Sequence, residues 1–203
     1  MLFLRYLQQA DQAVRNGGTS AGLCGREIRS KKVGIIGCGQ IGFMTAKLFQ
    51  AFGAEVYAYA RHEREEVKAA GIAYKPLDDL LRECDIISLH TPNNKETRGM
   101  ISAEKIALMK KSAIFINCAR GPIVDSKALA QALNEGRIAG AAVDVFDCEP
   151  PIPTEEPLLH AKNTLLTPHV AFLSEEAMVR RAEIEFSNVY AYLNGKPENV
   201  CTL

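Results

Sequence analysis

From Lys31 onward, short β-branched runs alternate with longer stretches whose apolar residues recur three and four positions apart. The short runs are Val33–Ile36, Glu55–Tyr59, Asp85–Leu89, Ala113–Asn117, Ala139–Val143 and Thr164–Leu166. The longer stretches, Ile41–Phe52, Arg64–Ala70, Leu77–Glu83, Ala103–Met109 and Ser126–Asn134, have helical periodicity. Strands regularly separated by helices predict an α/β fold: a Rossmann-type, doubly wound parallel sheet in three α/β/α layers. Ahead of it, residues 2–15 carry apolar side chains at 3, 6, 7, 10, 13 and 14, which predicts a helix, and the run Gly17 to Gly22 reads as a connector. The chain closes with a long helix from about Ser174 to Leu193, ended by Asn194-Gly195 and Pro197.

Composition narrows the class. In 203 residues there are 24 basic and 24 acidic side chains, so no overall charge draws the chain to nucleic acid. At 47% hydrophobic residues disorder is not expected, and the apolar runs are too short for a bilayer. The start, Met1 to Leu7, lacks a basic lead, and Arg5, Gln8, Gln9 and Asp11 interrupt its apolar character. A secretory signal is therefore not expected, and a cytoplasmic location is. Cys24, Cys38, Cys84, Cys118, Cys148 and Cys201 are scattered, with no metal-ligand spacing, so free thiols are expected and a metal site is not.

The first strand runs straight into Gly37-Cys38-Gly39-Gln40-Ile41-Gly42. G-x-G-x-x-G after a strand and before a helix suits a dinucleotide: Gly37 for the tight turn, Gly39 for close approach of the pyrophosphate, Gly42 for helix–strand packing. The helix N-terminus then offers free N–H groups to the phosphates. A plain strand–helix turn is the alternative. NAD sites usually place Asp or Glu at the end of the second strand to hold the ribose 2′-hydroxyl. Here that strand ends in Ala60, followed by Arg61, which can pair with a 2′-phosphate. The pattern leans to NADP over NAD. Alternatively, Arg61, His62 and Arg64 form a solvated helix start with Glu63, Glu65 and Glu66.

Ligands of such sheets lie outside the carboxyl ends of the strands. Just past three later strands come Arg120, then Asp144 with Glu149, then His169. Reduction of a 2-oxo acid needs a cation for the carboxylate and an acid for the carbonyl oxygen. Arg120 suits the first task, and His169 the second with Glu149 orienting it. Asp144 is a candidate to bond the nicotinamide amide. Each has a structural use as well: Arg120 as a turn cap, Glu149 as a surface acid, His169 as a structural histidine and Asp144 as a turn starter. A serine-hydrolase reading fails, since no Ser occupies a nucleophile elbow.

These stretches resemble the nucleotide-binding domain of the D-isomer-specific 2-hydroxyacid dehydrogenases. The resemblance rests on Val33 to Gly42, Leu89-His90-Thr91-Pro92 with Thr97, and Phe115 to Gly121. It continues through Ala142 to Phe146 with Glu149-Pro150, and Thr167 to Phe172. It implies hydride transfer between NAD(P)H and a small 2-oxo or D-2-hydroxy acid, with Arg120 on the substrate carboxylate, His169 as acid/base and Glu149 as its partner. It implies cofactor contacts from Gln40, Ile41, His90, Thr91, Pro92, Thr97, Cys118, Ala119 and Asp144, with Arg120 and His169 bordering the same site. It also implies residues 1–30 as interdomain helix and linker, 31–173 as the NAD(P)-binding domain and 174–203 as a helix returning to a substrate domain. A homodimer is the implied assembly, with exposed apolar surface on residues 2–14 and 174–193 favouring it. Phe172 borders the substrate pocket or packs in the core. Two departures stand out: Ala60 replaces the ribose-binding acid, and the N-terminal substrate-domain segment of the family has no counterpart here. The alternative function is therefore a non-catalytic, dimerising dinucleotide-binding module.

Overall fold

The computed structural model describes residues 1–200. Cys201 lies outside them; Cys24, Cys38, Cys84, Cys118 and Cys148 are free thiols. The chain separates into two compact units, one ending at Pro168 and one beginning at His169. Among the described residues no helix is long and apolar enough to cross a membrane.

The first unit is built on seven strands: β1 Lys32–Ile36, β2 Glu55–Tyr59, β3 Ala73–Tyr74, β4 Ile86–Leu89, β5 Ile114–Asn117, β6 Gly140–Val143 and β7 Thr164–Leu166. Their order is β3-β2-β1-β4-β5-β6-β7, and every pairing is parallel. The intervening helices are α2 Gln40–Ala51, α3 Glu65–Ala69, α4 Leu77–Glu83, α5 Ala103–Ala107 and α6 Ser126–Asn134, with α1 Leu7–Arg15 ahead of the sheet. The doubly wound α/β fold is as the alternating pattern predicts.

Period-two alternation along the strands divides the core into two layers. Val33, Ile35, Val56, Ala58, Ile86 and Ile114 face a cluster shared with Phe43 and Ala46 of α2 and Val67 of α3. Ile36, Ile87, Leu89, Phe115, Ala141 and Val143 face the other, shared with α4, α5 and α6. Strands buried on both faces read as near-continuous apolar runs, which is why Val33–Ile36 and Ile86–Leu89 stand out in the sequence. Asp125 starts α6 by accepting the Ala128 N–H at 2.9 Å.

Two elements differ from expectation. β3 is two residues long, too short for periodicity to reveal. The first helix starts at Leu7 rather than near residue 2, because Tyr6 has φ 50°. Leu4 is buried in the α2-side cluster and Phe3 packs against it. Phe3 and Leu4 thus pack on the core as a turn, while Tyr6 and Leu7, which complete the helical spacing with Phe3, are exposed.

In the second unit, α7 Glu175–Leu193 begins at Ser174, whose hydroxyl accepts the Ala177 N–H at 3.2 Å. Gly195 follows its end at φ 70°, as the Asn-Gly signal predicts.

β1 and α4 approach closely at Gly34. A Cβ there would lie 2.3 Å from Leu80 Cδ2 and 3.0 Å from Cys84 Sγ, both on or next to α4. Gly34→Ala is expected to lower unfolding stability by about 1–3 kcal/mol through overpacking. Leu80→Ala alone costs about 2–5 kcal/mol. In the double variant the new methyl occupies vacated space, so urea unfolding should give a loss smaller than the sum; an additive loss would contradict this packing.

Candidate functional site

Because all strands are parallel, their carboxyl ends share one edge. The chain builds β1, β2 and β3 outward in one direction, then returns to place β4 on the other side of β1. That reversal leaves a crevice between the turns that follow β1 and β4. Here the crevice is a cleft of about 410 Å³, lined by the Gly37 turn, the Tyr59–Arg61 end of β2, and His90, Thr91, Pro92 and Thr97 after β4. The ladder hydrogen bonds continue into it: Gly37 N–H donates to Tyr59 O at 2.8 Å and His90 N–H to Ile36 O at 2.7 Å.

The three glycines of the turn have different reasons. Gly37 has φ 90°, and a Cβ would lie 2.6 Å from Thr91 N. A Cβ on Gly42 would lie 2.1 Å from Gly37 O. Both are required by the protein's own packing. A Cβ on Gly39 would meet nothing within 4 Å, and its φ of −76° is open to any residue. Packing does not demand glycine there, and the space before the backbone is open to a ligand. Gly39 is also the N-cap of α2, with no side-chain cap and no acid in the first turn. The first-turn N–H groups, those of Gln40 and Ile41 among them, are thus left for an anion. The turn fits the pyrophosphate of a dinucleotide on its own geometry.

At the far wall the charges sort themselves. Arg64 pairs with Glu66, and Lys68 pairs with Glu63 at 2.8 Å and Glu65 at 3.1 Å, so these groups do form a mixed-charge helix start. Arg61 does not join them: its Nη1 meets Glu96 Oε2 at 2.5 Å. Opposite, Asn94 Oδ1 accepts the N–H groups of Glu96 at 2.9 Å and Thr97 at 3.0 Å, and Thr97 Oγ1 donates to Pro92 O at 2.6 Å. Thr97 therefore knits the loop as well as lining the cleft. His90 Nε2 sits 2.9 Å from Ser88 Oγ, and burial pushes its pKa down, so the ring is neutral at neutral pH.

Cys118, Ala119, Arg120 and Asp144 lie beyond this cleft, at the carboxyl ends of β5 and β6. The Arg120 turn hangs on Asn117, a buried residue whose Oδ1 accepts the Ala119 N–H at 3.0 Å and whose Nδ2 donates to Arg120 O at 3.1 Å. Gly121 completes it, since a Cβ there would lie 2.0 Å from Phe146 C. Arg120 is exposed, with Nη1 donating to Ala119 O at 2.6 Å, a neutral acceptor. Asp144 is buried and accepts from Thr167 Oγ1 at 2.5 Å. Burial, and Asp144 next to it, raise the Cys118 pKa; burial also raises that of Cys38. Neither thiol is primed as a nucleophile.

Glu149 belongs to the first unit and follows β6 on an exposed stretch. His169 opens the second unit, two residues after Thr167 in the chain. Its φ of 58° is one that L-residues other than Asn and Asp hold at a cost of about 1–2 kcal/mol. Its ring packs edge-on against Phe172, centroids 5.5 Å apart, and Arg181 lies 6.0 Å from the Phe172 ring. Phe172 is exposed rather than core-packed. Among the described residues no group of three or more His, Cys, Asp or Glu side chains could hold a metal. Sequence reasoning missed Asn117, Asn94 and Glu96. Only the buried position of Asn117 at the end of an apolar strand left a trace in the pattern.

The profile described as D-isomer specific 2-hydroxyacid dehydrogenase, NAD binding domain, matches residues 1–171. A glyoxylate reductase of Aeropyrum pernix is 42% identical over 189 residues, covering 92% of this chain and 56% of that protein. A D-lactate dehydrogenase of Aquifex aeolicus, solved with NAD and lactic acid, superposes with a TM-score of 0.89 at 33% identity, covering 96% of this chain and 63% of that one. An acyclic imino acid reductase solved with NADPH and D-Arg gives 0.89 at 32% identity, covering 99% and 64%. The chain thus spans between about half and two thirds of the length of these relatives.

The contrast between the glycines gives a test. Gly42→Ala should destabilise the fold by about 1–3 kcal/mol in chemical denaturation. Gly39→Ala should cost less than about 1 kcal/mol, the scale of an N-cap change, yet weaken NADH and NADPH binding about tenfold or more. Equal effects of the two on stability, or unchanged binding by the Gly39 variant, would contradict the assignment.

Proposed function

The chain belongs to the D-isomer-specific 2-hydroxyacid dehydrogenase family, and from that premise we propose that it serves the NAD(P)H-dependent reduction of a small 2-oxo acid of the glyoxylate and pyruvate class. The observation that carries this reading is the Gly37–Gly42 turn, with open space before Gly39 and an uncapped α2 beyond it. When bound, a reduced nicotinamide supplies the hydrogen and electron pair that add to the carbonyl carbon. The chain's own residues do the rest.

Arg120 takes the substrate carboxylate on its planar fork and draws charge from the carbonyl. Its present partner, a backbone carbonyl, leaves the positive charge for that anion. His169 donates a proton to the carbonyl oxygen, and Glu149 orients the imidazole and favours its charged form. Asp144, tied to Thr167, is the acceptor for the nicotinamide amide. Residues 31–173 form the dinucleotide-binding domain, flanked by 1–30 and 174–203 as connections to a substrate domain. NADP is the preferred cofactor, supported by Ala60 and Arg61. A homodimer in the cytoplasm is the proposed state. The exposed stripe Ile41, Met44, Leu48 and Phe52 along α2 supports self-association, as do Phe186, Val189 and Tyr190 on α7.

The experiment is titration with NADPH and NADH followed by glyoxylate, hydroxypyruvate or pyruvate, in wild type and two variants. Arg120→Met should lower kcat/KM by about a hundredfold or more, the worth of two charge-assisted hydrogen bonds. His169→Gln should lower kcat by about 10²–10⁴-fold. Both should still bind the dinucleotide. Wild-type turnover in either variant would remove that residue from the chemistry. Dinucleotide binding without turnover of any oxo acid would favour the non-catalytic module.

A further inference from the structure

We propose that Glu96 is a specificity-determining residue of the dinucleotide cleft, holding the Arg61 guanidinium in an ion pair and so competing with the 2′-phosphate of NADP for it. The inference rests on the dinucleotide reading above and adds to it a residue from another part of the chain.

Arg61 and Glu96 lie 35 positions apart, one after β2 and one in the loop after β4, and both line the cleft. Their charged atoms are 2.5 Å apart, and each side chain is 66% exposed. The loop that carries Glu96 is held in place, because Asn94 accepts the Glu96 backbone N–H and that of Thr97, and Thr97 ties the loop back to Pro92. Its backbone is thereby set on the wall facing Arg61, and the carboxylate meets the guanidinium from there. At the end of β2 itself, Ala60 supplies no acceptor for a ribose hydroxyl. The charge balance at this end of the cleft is then set by Arg61 and by Glu96 on the opposite wall.

Two cofactors meet that balance differently. With NAD, Arg61 stays on Glu96 and the pair remains neutral. With NADP, the guanidinium must turn to the phosphate, the ion pair breaks, and a bare carboxylate is left within a Debye length of a dianion. An exposed pair is worth up to about 1 kcal/mol, roughly fivefold in affinity, and relief of the repulsion adds to this. Glu96 therefore narrows the NADP preference that Arg61 creates.

The test is Kd for NADPH and for NADH, read from the fluorescence of the reduced nicotinamide in a chain that contains no Trp. Wild type, Glu96→Gln, Arg61→Met and the double variant are compared. Glu96→Gln should raise the NADPH-over-NADH affinity ratio about three- to tenfold, with a smaller gain at high salt. Arg61→Met should lower the ratio, and in its background Glu96→Gln should give less than half of its gain. A ratio unchanged or lowered by Glu96→Gln, or a full gain without Arg61, would overturn the role of Glu96 while leaving dinucleotide binding intact. Wild type that binds neither nucleotide would instead overturn the underlying reading, and this proposal with it.

Discussion

The site depends on how closely the turn after β1 passes the strand exit of β4. Gly37 lies against Thr91 and His90 with no room for a single methyl group, and Gly42 lies as tightly against Gly37. This double contact holds α2 at one angle to the sheet. With the helix so fixed, its first-turn N–H groups meet the switch-point crevice, and the partial positive charge of the helix end goes with them. A methyl at either position would tilt the helix and spread the crevice. The dinucleotide cleft is thus a consequence of backbone packing, and the polar side chains around it act on a frame already set.

Those side chains divide into two groups with different electrostatic settings. Around the Gly37 turn the cation is Arg61, and it rests on a carboxylate. At the ends of β5 and β6 the cation is Arg120, and it rests on a neutral carbonyl. An exposed guanidinium on a neutral acceptor keeps its full attraction for an anion; one on a carboxylate must first exchange partners. The Arg120 arrangement suits binding a substrate carboxylate, and the Arg61 arrangement suits discriminating between two cofactors. Asn117 makes the Arg120 arrangement possible by using both ends of its amide to close the turn that carries it. His169, the proposed acid, stands at a left-handed backbone position with its ring against Phe172, which limits the orientations open to it.

Much of this was legible in the sequence because burial on both faces writes continuous apolar runs. Val33–Ile36 and Ile86–Leu89 announce central strands, and the Gly37, Gly39 and Gly42 spacing locates the turn. The helix signals at Ser174 and Gly195 also read correctly. The two-residue β3 was not legible, since two residues carry no period. The start of α1 misread because Phe3 stands three and four positions before Tyr6 and Leu7, which is helical spacing, yet Phe3 and Leu4 pack as a turn on the core. The exposed stripe on α2 was not legible, because Ile41, Met44 and Leu48 recur at the same three- and four-residue spacing that a core-facing stripe has. The Arg61–Glu96 pair was out of reach, because its partners come from two turns brought together only by the order in which the strands are laid down.

The central claim is that the β1–α2 turn presents free backbone N–H groups to a dinucleotide pyrophosphate. It is tested most directly by following backbone amide resonances in an NMR titration with NADPH. The account predicts that the amides of Gly39, Gln40 and Ile41 shift most among those of the first unit, and saturate at the same concentration as the nicotinamide fluorescence. NADPH binding that leaves these three amides unmoved would contradict it.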